Sequence, residues 1–416
     1  MELISARDHQ IIRDLAKKQT EFAHSEKMRA LYHEWKHVGS FDSSARPMVT
    51  VELWTFANEL LPQRLRCESE EARKIEGMLL FNIMNHEQFD DDTVVRDHIG
   101  IPIQCNFQPF GLEPIVEHAG HNQDGLGFHF IPLLNDLEED FHLLGPSRFS
   151  IDREASLRSV DELSELFGDI LPVRLENNAQ GASPMQNVIR LMGMENMYTA
   201  MIDAPDRFHQ MLSMLTDDYC AFFKLMESEN ILMPLTYDQH LNQGTYCFTD
   251  DLPAQKDRFT LSDQWLYLDS QETAGISPAM YSEFVTPNYK KVSDMFGLLS
   301  YGCCESVHAI WKDGVDQYKN LRKLSISPWC DERVMGDILR GKKIVYLRKP
   351  TPNLLGVGTT LDEDAVRAHL KETAIASRGC LLEISQRDVY KIGQGSEKVR
   401  RYVQLIRETI SEYWHP

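Results

Sequence analysis

The chain has 416 residues, 63 acidic against 43 lysines and arginines for a net charge of −20, and 42% hydrophobic content. Such a chain can bury a large core, and its negative surface repels phosphate backbones, which argues against nucleic-acid binding. No apolar run approaches the ~18 residues of a membrane span, and the opening MELISARDHQIIRD has charges where a signal peptide needs an apolar stretch, so a soluble, cytoplasmic protein is expected. Cysteines 67, 105, 220, 247, 303, 304, 330 and 380 are then expected as free thiols, and the neighbours Cys303 and Cys304 make a poor disulfide pair.

Residues 1–45 read as helices packed outside the main domain, which spans 46–416. Short apolar runs then predict strands at 46–53, 171–177, 231–237, 265–270, 298–303, 324–329, 343–349 and 380–385. The gap after the first strand is too long for one crossover, so an insertion is expected over about 54–165. Ala204-Pro205 precedes a long helical pattern, and Ser277-Pro278 gives an N-cap followed by proline at the first helical position. Thr360 with Glu363 reads as a capping box, and Ser396 as the cap of the last helix. Apolar strands alternating with helices imply a parallel sheet covered by helices, and eight such units favour an α/β fold closed into a (β/α)8 TIM barrel.

In a barrel, chemistry gathers where strands end. The third predicted strand is followed by DQHLNQGTYCF with Asp238, His240 and Tyr246, the fourth by DSQETAG with Asp269, Gln271 and Glu272, and the seventh by RKPTPN. After the fifth comes CCESVH, where Cys303, Cys304, Glu305 and His308 are side-chain types that suit Zn²⁺. A buried, inert thiol and a helix-capping histidine are the alternative reading. If Tyr301 and Cys303 share a strand face by the period of two, Cys303 points into the barrel mouth and Cys304 away. The histidines of HAGHNQDGLGFHF, His118, His121 and His129, fit a polar loop better than a metal site, and the methionines of LMGMENMYTAM fit core filling.

The segment LYLDSQETAGISPAMYSEFVTPNYKKVSDMFGLLSYGCCESVH resembles the uroporphyrinogen decarboxylase superfamily, closest to its corrinoid-dependent methyltransferase and demethylase branch. LMGMENMYTAMIDAPDRFHQMLSMLTD and LRKLSISPWCDERVMGDILRGKKIVYLRKPTPNLL share the likeness, which covers residues 185–412 well and 40–184 loosely. The resemblance implies a TIM barrel, a homodimer, a small-molecule methyl donor and a corrinoid carried by a partner protein. The sequence departs from the family at two places. VTVELWTFANELLP lacks the arginines that grip an acidic tetrapyrrole, so decarboxylation of that substrate is not expected. Of the branch's zinc ligands only Cys303 matches: Tyr301 stands at the histidine position, and the last cysteine falls near Gln386, with Cys380 at the strand's other end. Further zinc ligands would have to come from His240, Glu272, Glu305, His308 or Asp388.

Three functions remain open on these residues. In the first, a methyl group moves between a methylated substrate, for example a methoxylated one, and a corrinoid protein. Cys303, Glu305 and His308 then form the zinc or acid centre, with His240, Asp269 and Glu272 as catalytic groups and Tyr246, Trp265, Gln271, Trp329 and Arg348 as substrate contacts. In the second, Asp269 or Glu272 protonates a small acid during decarboxylation while Arg348 and Lys349 hold its carboxylate. In the third, the barrel binds a ligand without chemistry.

Overall fold

A computed structural model describes residues 4–118, 127–393 and 395–416. Two helices lead the chain, α1 (Ala6–Ala23) and α2 (Glu26–Gly39), each capped by a serine hydroxyl that accepts a backbone N–H of the first turn. Seven parallel strands follow: β1 (Met48–Val51), β2 (Gln180–Ala182), β3 (Trp265–Leu268), β4 (Leu298–Tyr301), β5 (Leu321–Ile326), β6 (Val345–Arg348) and β7 (Leu382–Gln386). They are ordered β1-β7-β6-β5-β4-β3-β2, the cyclic order of a barrel-like sheet with helices on its outer face.

The sheet has seven strands rather than eight, and among the described residues no ladder joins its edges β1 and β2. Two expected strands explain the shortfall. Val173–Leu175 pairs with Ile99–Ile101 away from the main sheet. The run 231–237 is buried but builds no ladder, since Pro234 interrupts it and cannot donate a backbone hydrogen bond. In their place the hairpin His240–Asn242/Thr245–Tyr246 spans the opening. Its Gly244 carbonyl accepts the Thr50 hydroxyl of β1 at 2.7 Å, and its His240 carbonyl accepts the N–H of Ala179, just before β2, at 3.0 Å.

The two-residue period of the strands sorts their side chains. Val49, Leu266, Leu299, Leu324, Tyr346 and Ile384 face outward into the main hydrophobic core under the helices. Tyr267, Ser300, Lys323 and Val345, and likewise Thr50 and Ser385, belong to the other set, matched across the ladders. Lys323 and Glu383 meet inside at 2.8 Å, both nearly without solvent access, and Lys323 also donates to Thr245 Oγ1 of the hairpin at 2.7 Å. The amino end of the interior is closed by Leu235, Leu241, Cys247, Trp265 and Leu298.

Helix starts follow the sequence unevenly. Ser277 accepts the Met280 N–H with Pro278 at the first helical position, and Pro205 opens the helix Pro205–Ser228. Asp362, not Thr360, caps Glu363–Ala376, because its carboxylate reaches the Ala365 N–H. Gly395 precedes Ser396–Tyr413, and the Ser396 hydroxyl turns instead to Gln88. Between β1 and β2 lie the helices Glu70–Met84 and Arg153–Phe167 and two antiparallel ribbons, Gln104–Gln108 with Arg148–Asp152 and Ile115–His118 with Phe128–Ile131. His118 and His129 sit on the second ribbon, while His121 lies outside the described residues. Of the methionines of LMGMENMYTAM, Met192, Met197 and Met201 are core, while Met194 is 46% exposed. All eight cysteines are free thiols. No helix among the described residues is long and apolar enough to cross a membrane.

Candidate functional site

At the carboxyl ends of the strands opens a cleft of about 800 Å³ whose lining includes Asp269, Gln271, Cys303, Trp329, Lys349 and Arg387. Each side chain arrives there for a local reason. Asp269 continues the inward set of Trp265 and Tyr267 on β3, Lys349 that of Val345 and Leu347 on β6, and Arg387 that of Glu383 and Ser385 on β7.

Cys303 reaches the mouth differently from the alternation expected. Tyr301 faces outward, its hydroxyl 2.6 Å from those of Tyr281 and Ser270, and so does not share a face with Cys303. Gly302 breaks the strand at φ 102°, a region that favours glycine, and turns Cys303 inward. Glu305 then fixes the turn. Its carboxylate accepts the N–H of Cys303 at 2.7 Å and of Ser270 at 3.0 Å, tying the ends of β3 and β4 together.

The Cys303 sulfur lies 3.6 Å from Cys304 Sγ and 3.8 Å from Arg387 Nη1. The Cys304 thiol hydrogen bond, with Lys349 and Arg387 nearby, pulls the Cys303 thiol well below its ordinary range against burial and Asp269, while Cys304 is pushed up. Cys303 is therefore expected to be the first thiol alkylated near neutral pH, with Lys349→Met shifting its rate profile to higher pH. Iodoacetamide labelling followed by peptide mass mapping reads this out. Equal labelling of Cys303 and buried Cys247 would contradict it, since burial pushes the Cys247 thiol upward.

Lys349 and Arg387 both donate to the side-chain oxygen of Gln243. Gln243 sits at the hairpin tip with Asn242 and Gly244, all three in the left-handed region at φ 78°, 58° and 75° in chain order. Its amide donates to the Tyr267 hydroxyl at 2.7 Å, which donates to Asp269 Oδ2 at 2.9 Å. Arg387 also pairs with Glu52 at 2.6 Å. A hollow of about 480 Å³ adjoins the cleft, sharing Gln271, Cys304 and Trp329 with it and adding Glu272. Glu272 is 3% exposed, its Oε2 has no hydrogen-bond partner among the described residues, and burial beside Asp269 pushes its carboxyl up to about 8.

Thus Asp269, Gln271, Trp329 and Cys303 gather at the cleft and Glu272 in the hollow beside it, and six other expected site residues do not join them. His240 lies at the amino end of the sheet, lining a separate hollow with Arg96, His98 and Glu176. Tyr246 is buried there too, its hydroxyl accepting the Val94 N–H at 2.9 Å. Trp265 is the first residue of β3, and its indole donates to the Cys247 carbonyl at 3.0 Å, so it closes the floor of the interior. Arg348 faces the helices by the same alternation that turns Lys349 inward; it pairs with Glu332 and donates to the Ser327 carbonyl at 2.7 Å.

The expected metal set also disperses. Both Glu305 oxygens are held by backbone N–H groups, and His308 Nδ1 accepts the Asp331 N–H at 3.1 Å. Among the described residues no three of His, Cys, Asp and Glu are arranged to hold a metal ion. The donor set around Cys303 consequently does not fit a zinc centre. Gln243 and Arg387 were not singled out in the sequence. Arg387 could have been reached by counting in twos from Ser385, and Asn242-Gln243-Gly244 carries a turn signal.

The architecture is thus that of a helix-covered, barrel-like parallel α/β protein with one polar cleft at its carboxyl-terminal rim. It is similar in fold to a methyltransferase from Methanosarcina mazei, at TM-score 0.51 and 14% identity, over 92% of this chain and 98% of that one. No family model and no curated protein matches the sequence.

Proposed function

We propose that this protein is a methyltransferase of the uroporphyrinogen decarboxylase-like kind, moving a methyl group from a small methylated compound to a corrinoid protein. The observation that carries the reading is the presence, in two adjoining hollows of the rim, of a buried acid kept neutral and a cation-flanked thiol. The fold shared with a methyltransferase supports it. Glu272 holds a proton at neutral pH and, in this reading, delivers it to the heteroatom that loses its methyl group. The Cys304 thiol, with Lys349 and Arg387, favours the charged form of Cys303, and the two cations fix the cleft floor through Gln243. Trp54, Trp329 and Tyr390 form an aromatic rim on which the partner would dock. The reduced corrinoid would supply the electron pair that accepts the methyl carbon. No step needs zinc.

Mixing the protein with a reduced corrinoid protein and a panel of methoxylated and methylated compounds, then following the corrinoid spectrum, tests the reading. Spectral change with at least one compound is expected. Release of CO₂ from a small acid without any corrinoid would replace this reading with the lyase, and binding without turnover would leave a binding protein.

A further inference from the structure

We infer that the methyl donor taken by this cleft is a methylated ammonium; the inference rests on the methyl-transfer reading above. The floor of the cleft is one hydrogen-bonded chain, from Lys349 and Arg387 through Gln243 and Tyr267 to Asp269 Oδ2. Its cationic end is already answered within the protein. Lys349 donates to Gln243, and Arg387 to Gln243 and Glu52. Its acidic end is not. Asp269 is 5% exposed and lines the cleft, yet its Oδ1 has no hydrogen-bond partner among the described residues.

A buried carboxylate oxygen without a donor is costly, so the ligand that completes this site brings a donor or a positive charge to Asp269. The rim specifies which. Trp54, Phe128, Trp329 and Tyr390 all line the cleft and are 57%, 57%, 71% and 47% exposed, large aromatic faces that the fold leaves open. Aromatic faces together with a carboxylate are the recognition chemistry of methylated ammonium groups. A neutral ether would leave Asp269 unanswered, and an anion would meet Asp269 and Asp388 in the same lining. The net charge of −20 attracts cations to the opening.

Transfer then breaks one C–N bond with its electron pair kept by nitrogen, and the reduced corrinoid of the partner, when bound, would supply the pair that the methyl carbon takes. The neutral amine so released takes its proton from Glu272, so atoms and charge balance without another reactant.

Calorimetric titration of the whole protein with tetramethylammonium chloride, against tert-butyl methyl ether as an uncharged compound of similar bulk without a hydrogen-bond donor, tests the inference without any corrinoid. Tetramethylammonium should bind at least about tenfold more tightly, and Asp269→Asn should remove that preference. Trp329→Ala, at an exposed position that the fold does not need, should weaken the ammonium several-fold and leave the ether unchanged. Equal affinity for the two compounds in the wild type, or an undiminished preference in both variants, overturns the inference. Ammonium binding without any methyl transfer would sink the methyltransferase reading alone. Methyl transfer from neutral methoxylated compounds, with no ammonium bound, would sink this inference alone.

Discussion

With a methoxylated donor, whose oxygen would otherwise leave as an anion, Glu272→Gln is expected to slow methyl transfer by about 10²–10⁴-fold, the usual worth of a positioned general acid; an ammonium donor, whose nitrogen leaves neutral, should be slowed far less. The substitution keeps the shape and removes the proton that burial beside Asp269 holds on the carboxyl up to about pH 8. The wild-type rate should therefore stay level through neutral pH and fall as pH rises past about 8, where Glu272 ionises. Linkage gives the same direction for stability. The folded chain keeps this proton above the ordinary value of 4.5, so the contribution of Glu272 is complete below 4.5 and lost as pH rises through about 8. Glutamine cannot ionise, so the variant should lack both dependences. A pH profile of kcat/KM beside thermal unfolding at matched pH reads them together. An active variant with the wild-type alkaline fall would assign the proton to another group.

Lys323→Met is expected to destabilise the fold by ~3–5 kcal/mol, because it strands the Glu383 carboxylate inside the sheet. The pair stands at 2.8 Å with 2% and 3% of the two side chains exposed, and Lys323 further donates to Thr245 and to the Tyr246 carbonyl. The double change Lys323→Met with Glu383→Leu should recover much of the loss, since two apolar groups of similar volume need no partners. Urea unfolding of the single and double variants measures this. A single variant as stable as the wild type would mean that Glu383 reaches water, which a filled interior does not allow. The hairpin depends on the same lysine, so the single variant should also lose order around Gln243 and, with it, the low pH at which Cys303 alkylates.

Much of the scaffold could be read from residue order. Five of the seven main strands, β1, β3, β4, β6 and β7, lie within a residue or two of their apolar runs, β5 starts three residues before its run, and serine and proline mark two of the helix starts. Errors arose where a local pattern had two outcomes. The run at 231–237 is as apolar as a strand, but Pro234 denies it a ladder, and Gln180–Ala182, with a glycine at its centre, takes the sheet position instead. His240 follows an apolar run just as Asp269 does, yet it begins a hairpin whose tip, not its base, reaches the cleft.

The amino-acid order by itself determined that this chain forms apolar strands alternating with capped helices, and that acids, thiols and cations follow the strand ends. Both are local consequences of hydrophobic period and backbone chemistry. Only the tertiary structure decided which of those groups share a volume. Gly302 turns Cys303 inward, alternation sends Lys349 inside and Arg348 out, and the hairpin carries Gln243 between two cations. Those outcomes depend on contacts between residues up to 144 positions apart, as for Gln243 and Arg387, and no local window of sequence contains them.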